Sequence, residues 1–175
     1  MLPSRTLLTQ AVKIFEQEIR AIKSVDGLVP NFISYAISRS AVRAMTQRGG
    51  NSLGIQGDQP LFRKLLLPVQ LHILTSLPNM ILVILISTAW SDASGDAAVN
   101  TMTENTIRRI REAAETLDVA HPFLYINYAS AAQASEVFSG YGTENMRKLR
   151  DIQRAVDPRG IFTSRGLWSG FAKLL

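Results

Sequence analysis

The stretch HPFLYINY, residues 121–128, decides how the rest of the chain is interpreted. Pro122 fixes its own backbone and keeps the residue before it out of the helical region, so the chain leaves any preceding helix and runs extended. The six residues after it favour a short strand, in which alternate side chains share a face. Phe123, Tyr125 and Asn127 would then point the same way, placing a phenol beside a carboxamide.

The pair formed by Tyr125 and Asn127 has two interpretations. Each side chain can both donate and accept a hydrogen bond, so together they could orient a polar ligand. Alternatively, Tyr125 is a buried edge-strand tyrosine and Asn127 is a turn-forming asparagine. These eight residues leave both interpretations open.

The pattern along the chain predicts three helices and two further strands. Ser4 is typical of an N-cap, and the helix after it should end near Asp26-Gly27. Residues 28–37 predict a strand broken by Pro30, and residues 80–89 predict a fully buried central strand that ends at Trp90. A second helix should start after N-cap candidates at 91–96 and stop before Pro122, and a last helix should span 145–156.

These elements favour an α+β fold, an antiparallel sheet covered on one side by helices, in a single domain over residues 1–175. The elements lack the regular short alternation of a parallel α/β protein. Apolar residues at helical spacing predict the buried faces of the helices. For the three helices in turn they are Leu8, Val12, Phe15, Ile19 and Ile22; Val99, Met102, Thr106, Ile110, Ala113 and Leu117; and Met146, Leu149, Ile152 and Val156.

Two intervening stretches carry weaker signals. Residues 38–60 are polar and rich in glycine, without the terminal Lys-Ser/Thr of a phosphate-binding loop, and predict a surface loop. Residues 65–91 contain no charge and exceed the about 20 residues that cross a bilayer. Pro68 and Pro78 interrupt them, so two pieces are favoured over one membrane span.

Composition excludes several classes of function. The chain has 175 residues, 46% of them hydrophobic, which is typical of a folded domain. Without cysteine there is no disulfide or thiolate chemistry. The charge of +5 includes basic residues interleaved with acidic ones, which favours a solvated helix face over a nucleic-acid site.

His72 and His121 lack the spacing of zinc ligands, and no G-x-S-x-G element is present, so metal and serine-triad hydrolysis are not expected. The first residues contain no signal peptide, which makes the cytoplasm the default location.

The end of the chain resembles a known family. In order after HPFLYINY come a Tyr-Gly loop, a helix closing on Asp-Pro-Arg-Gly-Ile-Phe, and a Gly-Phe-Ala-Lys-Leu tail. This order resembles the C-terminal part of FAD-linked oxidoreductases of the berberine-bridge-enzyme type, within the vanillyl-alcohol-oxidase class, and its fungal members above all. Upstream, RGGNSLG at 48–54 and the segment 87–92 with Trp90 are also similar to that family.

The resemblance implies a fold, a cofactor and roles for residues. The chain would be the substrate domain of an enzyme that oxidises an alcohol or amine, or closes a ring, in secondary metabolism. FAD would be held mostly by a separate N-terminal domain outside these residues. Tyr125 would be the catalytic phenol near the flavin, and Asn127 and Tyr128 would contact the cofactor. A free phenol, with a pKa of about 10, is a poor base at neutral pH, so this role requires a partner group that the sequence does not reveal.

The chain departs from the family pattern in two places. Residues 63–79 separate the Pro-Leu segment from the predicted buried strand, as a lineage-specific insert or a translated non-coding stretch. Ser130 and Ala132 replace acidic and aromatic residues common after the motif. Two alternatives to a flavoenzyme portion therefore remain: a flavin-free binding or cyclase-type protein, and a non-functional truncated product. The expected partners are a small-molecule substrate and a separate FAD-binding domain, without nucleic acid or membrane.

Overall fold

A computed structural model describes residues 1–55 and 81–164. The described residues divide into two compact units, the first containing residues 1–38 and 81–121 and the second residues 39–55 and 122–164. The predicted single domain stays a prediction. The predicted insert at 63–79 and the Gly-Phe-Ala-Lys-Leu tail lie outside the described residues.

The described residues form an α+β structure with a small antiparallel sheet, which confirms the predicted class. The strands are β1 (Val29–Ile37) and β2 (Ile81–Ala89). The helices are α1 (Arg5–Ala21), α2 (Arg39–Gln47), α3 (Asp96–Thr116), α4 (Ala134–Val137), α5 (Thr143–Val156) and α6 (Ile161–Ser164). None of these helices has the length and apolar character needed to cross a membrane.

Helices α1 and α3 form the core of the first unit. Ser4 caps α1 as predicted, since its hydroxyl accepts the Leu7 N–H at 3.2 Å. The buried stripe of α1 starts one residue earlier than predicted, because Leu7 and Ala11 are fully buried whereas Val12 is 37% exposed. The small Ala11 side chain lies in the same cluster as Ala114 of α3, so the two helices can approach closely there. The predicted stripe followed the larger apolar residues instead.

The buried face of α3 agrees with the prediction over most of its length. Val99, Met102, Thr106 and Ile110 are at most 2% exposed. The buried Thr106 hydroxyl donates to the Met102 carbonyl at 2.8 Å, so it carries no unsatisfied donor. At the C-terminal end Ala114 is buried, where the pattern predicted Ala113.

The sheet pairs β1 with β2 in antiparallel register. Phe32 and Ile84 pack against the α1–α3 cluster, and the Phe32 ring centroid lies 5.5 Å from that of Phe15. Pro30 does not break β1, because it lies within the strand opposite Thr88. On the other face, Ile33 is 42% exposed and its partner Leu85 is partly buried.

The prediction of a fully buried central strand is wrong for β2. Among its residues only Ile81 is buried, and within the described ranges its one strand partner is β1. The reason is that helices cover one face of this sheet, so a run of apolar residues is half buried here. An uninterrupted apolar run therefore gave no information on how many layers cover the strand.

The second unit contains two corrections to the predicted elements. Residues 39–47 form α2, where a surface loop was predicted; Ala41 and Ala44 favour a helix, and Val42 supplies its buried residue. In α5 the predicted inward residues Ile152 and Val156 are 54% and 74% exposed, and Gln153 is buried instead.

The orientation of α5 follows from its first turn. The Asn145 side-chain amide donates to the Tyr141 carbonyl at 2.9 Å, so the side of the helix that carries Asn145 faces inward. Leu149 and Gln153 follow on the same side at successive helical turns. A polar anchor at the start of the helix thus overrides its apolar stripe.

Candidate functional site

The predicted strand at 123–128 is wrong, because its second half is a 3₁₀ turn. Residues 126–128 form the turn, with the Tyr128 N–H donating to the Tyr125 carbonyl at 2.9 Å and the Ala129 N–H to the Ile126 carbonyl at 3.3 Å. These local bonds use backbone groups that a strand would have used for pairing. Residues 121–125, before the turn, belong to no helix or strand, and the backbone is extended at Tyr125, with φ −80° and ψ 111°.

A cluster of three aromatic rings holds this extended part. The rings of Phe123 and Tyr141 lie nearly parallel with centroids 5.9 Å apart, and Phe138 meets Tyr141 edge-on at 5.8 Å. Phe123 is 6% and Tyr141 4% exposed. Gly140 lies directly against the Pro122 carbonyl, where any Cβ atom would collide. We call Phe123, Phe138 and Tyr141 the aromatic socket.

Tyr125 and Asn127 contact each other directly beyond the socket. The Asn127 Nδ2 donates to the Tyr125 hydroxyl oxygen over 2.8 Å. The structure therefore brings together the phenol and the carboxamide that the sequence singled out, by a turn and not by strand alternation. The phenol oxygen of Tyr125 thus has the carboxamide of Asn127 as its hydrogen-bond donor.

Tyr128 completes this candidate site with its ring. Its centroid lies 4.9 Å from that of Tyr125 and the two rings are at 87°, so one ring edge meets the other ring's face. Tyr128 is 47% exposed and Asn127 is also exposed, while Tyr125 is half buried. A ligand can thus reach the Tyr128 ring and the carboxamide from solvent.

The hydroxyl of Tyr141 has a structural environment. Burial raises its pKa, and a hydrogen bond with the backbone of Ile126 opposes that rise. The hydroxyl also donates to the Leu124 carbonyl at 3.3 Å. Tyr141 is consequently protonated at neutral pH and available as a hydrogen-bond donor.

His121, which precedes the site in the chain, belongs to the first unit. Burial, and then the positive charge of the amino terminus, lower its pKa to about 4. It is therefore neutral at pH 7. Within 1–55 and 81–164, no three carboxylate or imidazole groups lie close enough together to hold a metal ion.

The glycine-rich loop that resembles the family is organised around Asn51. Its Oδ1 accepts the N–H groups of Leu53 and Ile55 at 3.0 and 3.2 Å, and its Nδ2 donates to the Ile55 carbonyl at 2.6 Å. Gly54, with φ +72°, lies directly against the Tyr141 carbonyl. This loop supports the aromatic socket and makes no nucleotide-binding cradle in the described residues.

The family resemblance includes the Tyr-Gly loop at 141–142, but nothing in the sequence indicated that Tyr141 and Asn145 support the site. Neither residue is near Tyr125 in the chain, and only the fold brings the Tyr141 ring against Phe123. Ser130 lies at the start of the next turn, where its backbone N–H donates to Gln133 Oε1 at 3.2 Å. This contact is local and does not involve the candidate site.

Comparison with known proteins relates the chain to fungal flavin enzymes at low identity. It is 28% identical over 166 residues to an FAD-dependent monooxygenase of Cochliobolus heterostrophus, covering 90% of this chain and 27% of that protein. A second FAD-dependent monooxygenase, of Aspergillus calidoustus, is 31% identical over 84 residues, which is 48% of this chain and 16% of that protein. These similarities support a relationship with FAD-linked oxidoreductases in general.

A further relative carries a different name. An oligopeptidase of Diaporthe leptostromiformis is 37% identical over 78 residues, 45% of this chain but only 6% of that protein. The chain thus spans between 6% and 27% of the length of these three curated relatives. No family model matches the chain, and no solved structure is similar to it.

Proposed function

We propose that this chain is the substrate-domain portion of an FAD-linked oxidoreductase of the berberine-bridge type that acts on an alcohol, an amine or a ring-closing substrate in secondary metabolism. The observation that carries the proposal is the 2.8 Å hydrogen bond from Asn127 to the Tyr125 hydroxyl, in a half-exposed aromatic site. The similarity to fungal FAD-dependent monooxygenases supports the cofactor class.

The residues of the site fit contact with the edge of a flavin ring. The exposed Asn127 carboxamide offers a donor and an acceptor, and the exposed Tyr128 ring offers an apolar surface. No described segment supplies a phosphate cradle, so a separate FAD-binding domain would hold the rest of the cofactor. FAD, when bound, would supply the two-electron acceptor.

Tyr125, once its own phenol proton has passed to solvent, would take the proton of the substrate hydroxyl or amine at its Oη atom. The Asn127 N–H would stabilise negative charge on that oxygen and hold the phenol in one orientation. Tyr128 would limit the positions open to the substrate, because its ring lies perpendicular to the Tyr125 ring with the centroids 4.9 Å apart. The expected loss for Tyr125→Phe is about 100-fold or more in turnover, the usual contribution of a positioned acid or base.

The test combines the chain with the flavin-binding portion of the Cochliobolus heterostrophus relative and FAD. We expect the mixture, after gel filtration, to retain flavin absorbance that a panel of primary alcohols and amines bleaches without oxygen. Tyr125→Phe should retain the flavin and lose the bleaching, while the matched variant Tyr35→Phe in the first unit should keep both. The proposal is wrong if neither the chain nor the mixture retains flavin, or if Tyr125→Phe bleaches at the normal rate.

A flavin-free binding or cyclase-type protein is the second candidate. The observation that favours it is that the described residues offer a flavin only one short contact, at 125–128. Cyclisation of a linear precursor by the purified chain without FAD would identify this function. A non-functional truncated product would give neither activity nor a cooperative unfolding transition.

A further inference from the structure

We propose that Tyr141 is the positioning residue of the candidate site: its hydroxyl holds the backbone directly before Tyr125 and so fixes the Tyr125–Asn127 pair. The hydroxyl donates to the Leu124 carbonyl at 3.3 Å, immediately before Tyr125 in the chain. The Tyr141 hydroxyl thus bonds a carbonyl that a neighbouring strand would have bonded if this segment were part of a sheet. This inference deepens the proposed function, on which its catalytic meaning rests.

The Tyr141 ring is held firmly enough for this task. It is 4% exposed, and it is in contact with Phe123 on its face and with Phe138 edge-on. Its own carbonyl accepts the Asn145 side-chain amide at 2.9 Å. A ring packed on two sides and anchored through its backbone has little freedom, so its hydroxyl is a fixed point.

The pair beyond it depends on such a fixed point. The bond from Asn127 to Tyr125 is 2.8 Å long, and both residues lie at or beyond the end of the extended segment, next to solvent. A hydrogen bond of this length is lost when the groups separate by about 0.8 Å or more. Small backbone shifts at 124 or 126 would therefore uncouple the phenol from the carboxamide.

The experiment follows the side-chain amide signals of Asn127 by NMR in the full chain without flavin. These signals are identified by their loss in Asn127→Ala, and Tyr125→Phe gives their position when the hydrogen bond is absent. Tyr141→Phe keeps the ring and removes only the hydroxyl. We expect it to move the Asn127 signals by about half or more of the shift that Tyr125→Phe produces, as for loss of the bond in a large share of molecules.

Two further variants exclude a merely structural effect. Tyr35→Phe makes the same chemical change in the first unit and should leave the Asn127 signals in place. Tyr141→Phe combined with Tyr125→Phe should give the signals of Tyr125→Phe alone, because both changes remove the same bond. Unchanged Asn127 signals in Tyr141→Phe, or additive shifts in the double variant, would overturn the proposal.

A second route keeps the test decisive if Tyr141→Phe does not fold. Asn145→Ala releases the Tyr141 carbonyl without touching the hydroxyl, and it should move the same signals in the same direction by a smaller amount. No movement in Asn145→Ala would then refute the inference. Since no measurement here uses FAD, a failure of flavin binding would count against the proposed function and leave this result intact.

Discussion

Replacing Gln153 by methionine should stabilise the second unit. The side chain is 8% exposed, and neither its Nε2 nor its Oε1 atom has a hydrogen-bond partner among the described residues. A buried polar group left unsatisfied costs about 1–3 kcal/mol. Methionine has nearly the same length and shape without the amide, so Gln153→Met should recover about 2 kcal/mol while keeping the packing.

Urea unfolding followed by circular dichroism measures this gain. With a slope of about 2 kcal/mol per molar urea, the midpoint should rise by about 1 M. The matched control Gln47→Met makes the same substitution at an exposed helical position and should change the free energy of unfolding by about 0.5 kcal/mol or less. A midpoint for Gln153→Met at or below that of the parent chain would refute the reasoning, because it would show that the buried amide contributes to stability.

Three further predictions test other parts of the structure. Arg109→Met should lose about 1 kcal/mol of stability in a thermal melt, because it removes the 2.6 Å ion pair with Glu18 that joins α3 to α1. The control Arg108→Met breaks the exposed pair with Glu112 and should lose almost no stability, so equal losses in the two variants would contradict this prediction. Gly54→Ala should destabilise the chain by about 1 kcal/mol or more beyond Gly49→Ala. Both glycines have positive φ, but only a Cβ atom at Gly54 would collide with a carbonyl, that of Tyr141. Equal urea midpoints would show that the backbone at Gly54 can move away from that carbonyl at no cost. Burial lowers the pKa of His121 from 6.5 to about 4, so the unfolded chain takes up the proton before the folded chain as the pH falls. The melting temperature of the parent chain should therefore drop between pH 6.5 and pH 4, and that of His121→Asn should drop less. Parallel curves of melting temperature against pH for the two chains would argue against this.

The sequence predicted the helices and strands with strong local signals. The Ser4 cap, the apolar stripe of α3 and the extended segment of β1 all depend on neighbours within a few residues. Such signals are readable without knowing the fold. They also gave the correct class, α+β with an antiparallel sheet.

The errors occurred where a distant residue decides the local structure. Just before the turn, the Leu124 carbonyl accepts the Tyr141 hydroxyl, seventeen residues away, and no strand in the described part of the chain pairs with this segment. In α5 the contact is local but equally invisible in the apolar pattern: the Asn145 amide bonds the Tyr141 carbonyl, and Gln153 lies on the same side of the helix. Periodicity contains no information about either contact.

For the candidate site, the sequence named the right neighbours by the wrong geometry. Strand alternation predicted that Tyr125 and Asn127 share a face, and a turn brings them within hydrogen-bond distance instead. Asn127, which the sequence had singled out, is itself the hydrogen-bond donor to the Tyr125 phenol oxygen. The catalytic and cofactor-binding roles of Tyr125, Asn127 and Tyr128 remain predictions for the experiments above.

The outward-facing apolar side chains of α5 and α6 have a practical consequence for anyone handling the purified chain. Ile152, Val156 and Phe162 are 54%, 74% and 58% exposed. Exposed apolar side chains promote association of the protein as its concentration rises, and ammonium sulfate strengthens this hydrophobic association. Stocks should therefore scatter light increasingly on concentration, and dilute, low-salt storage should keep them clear.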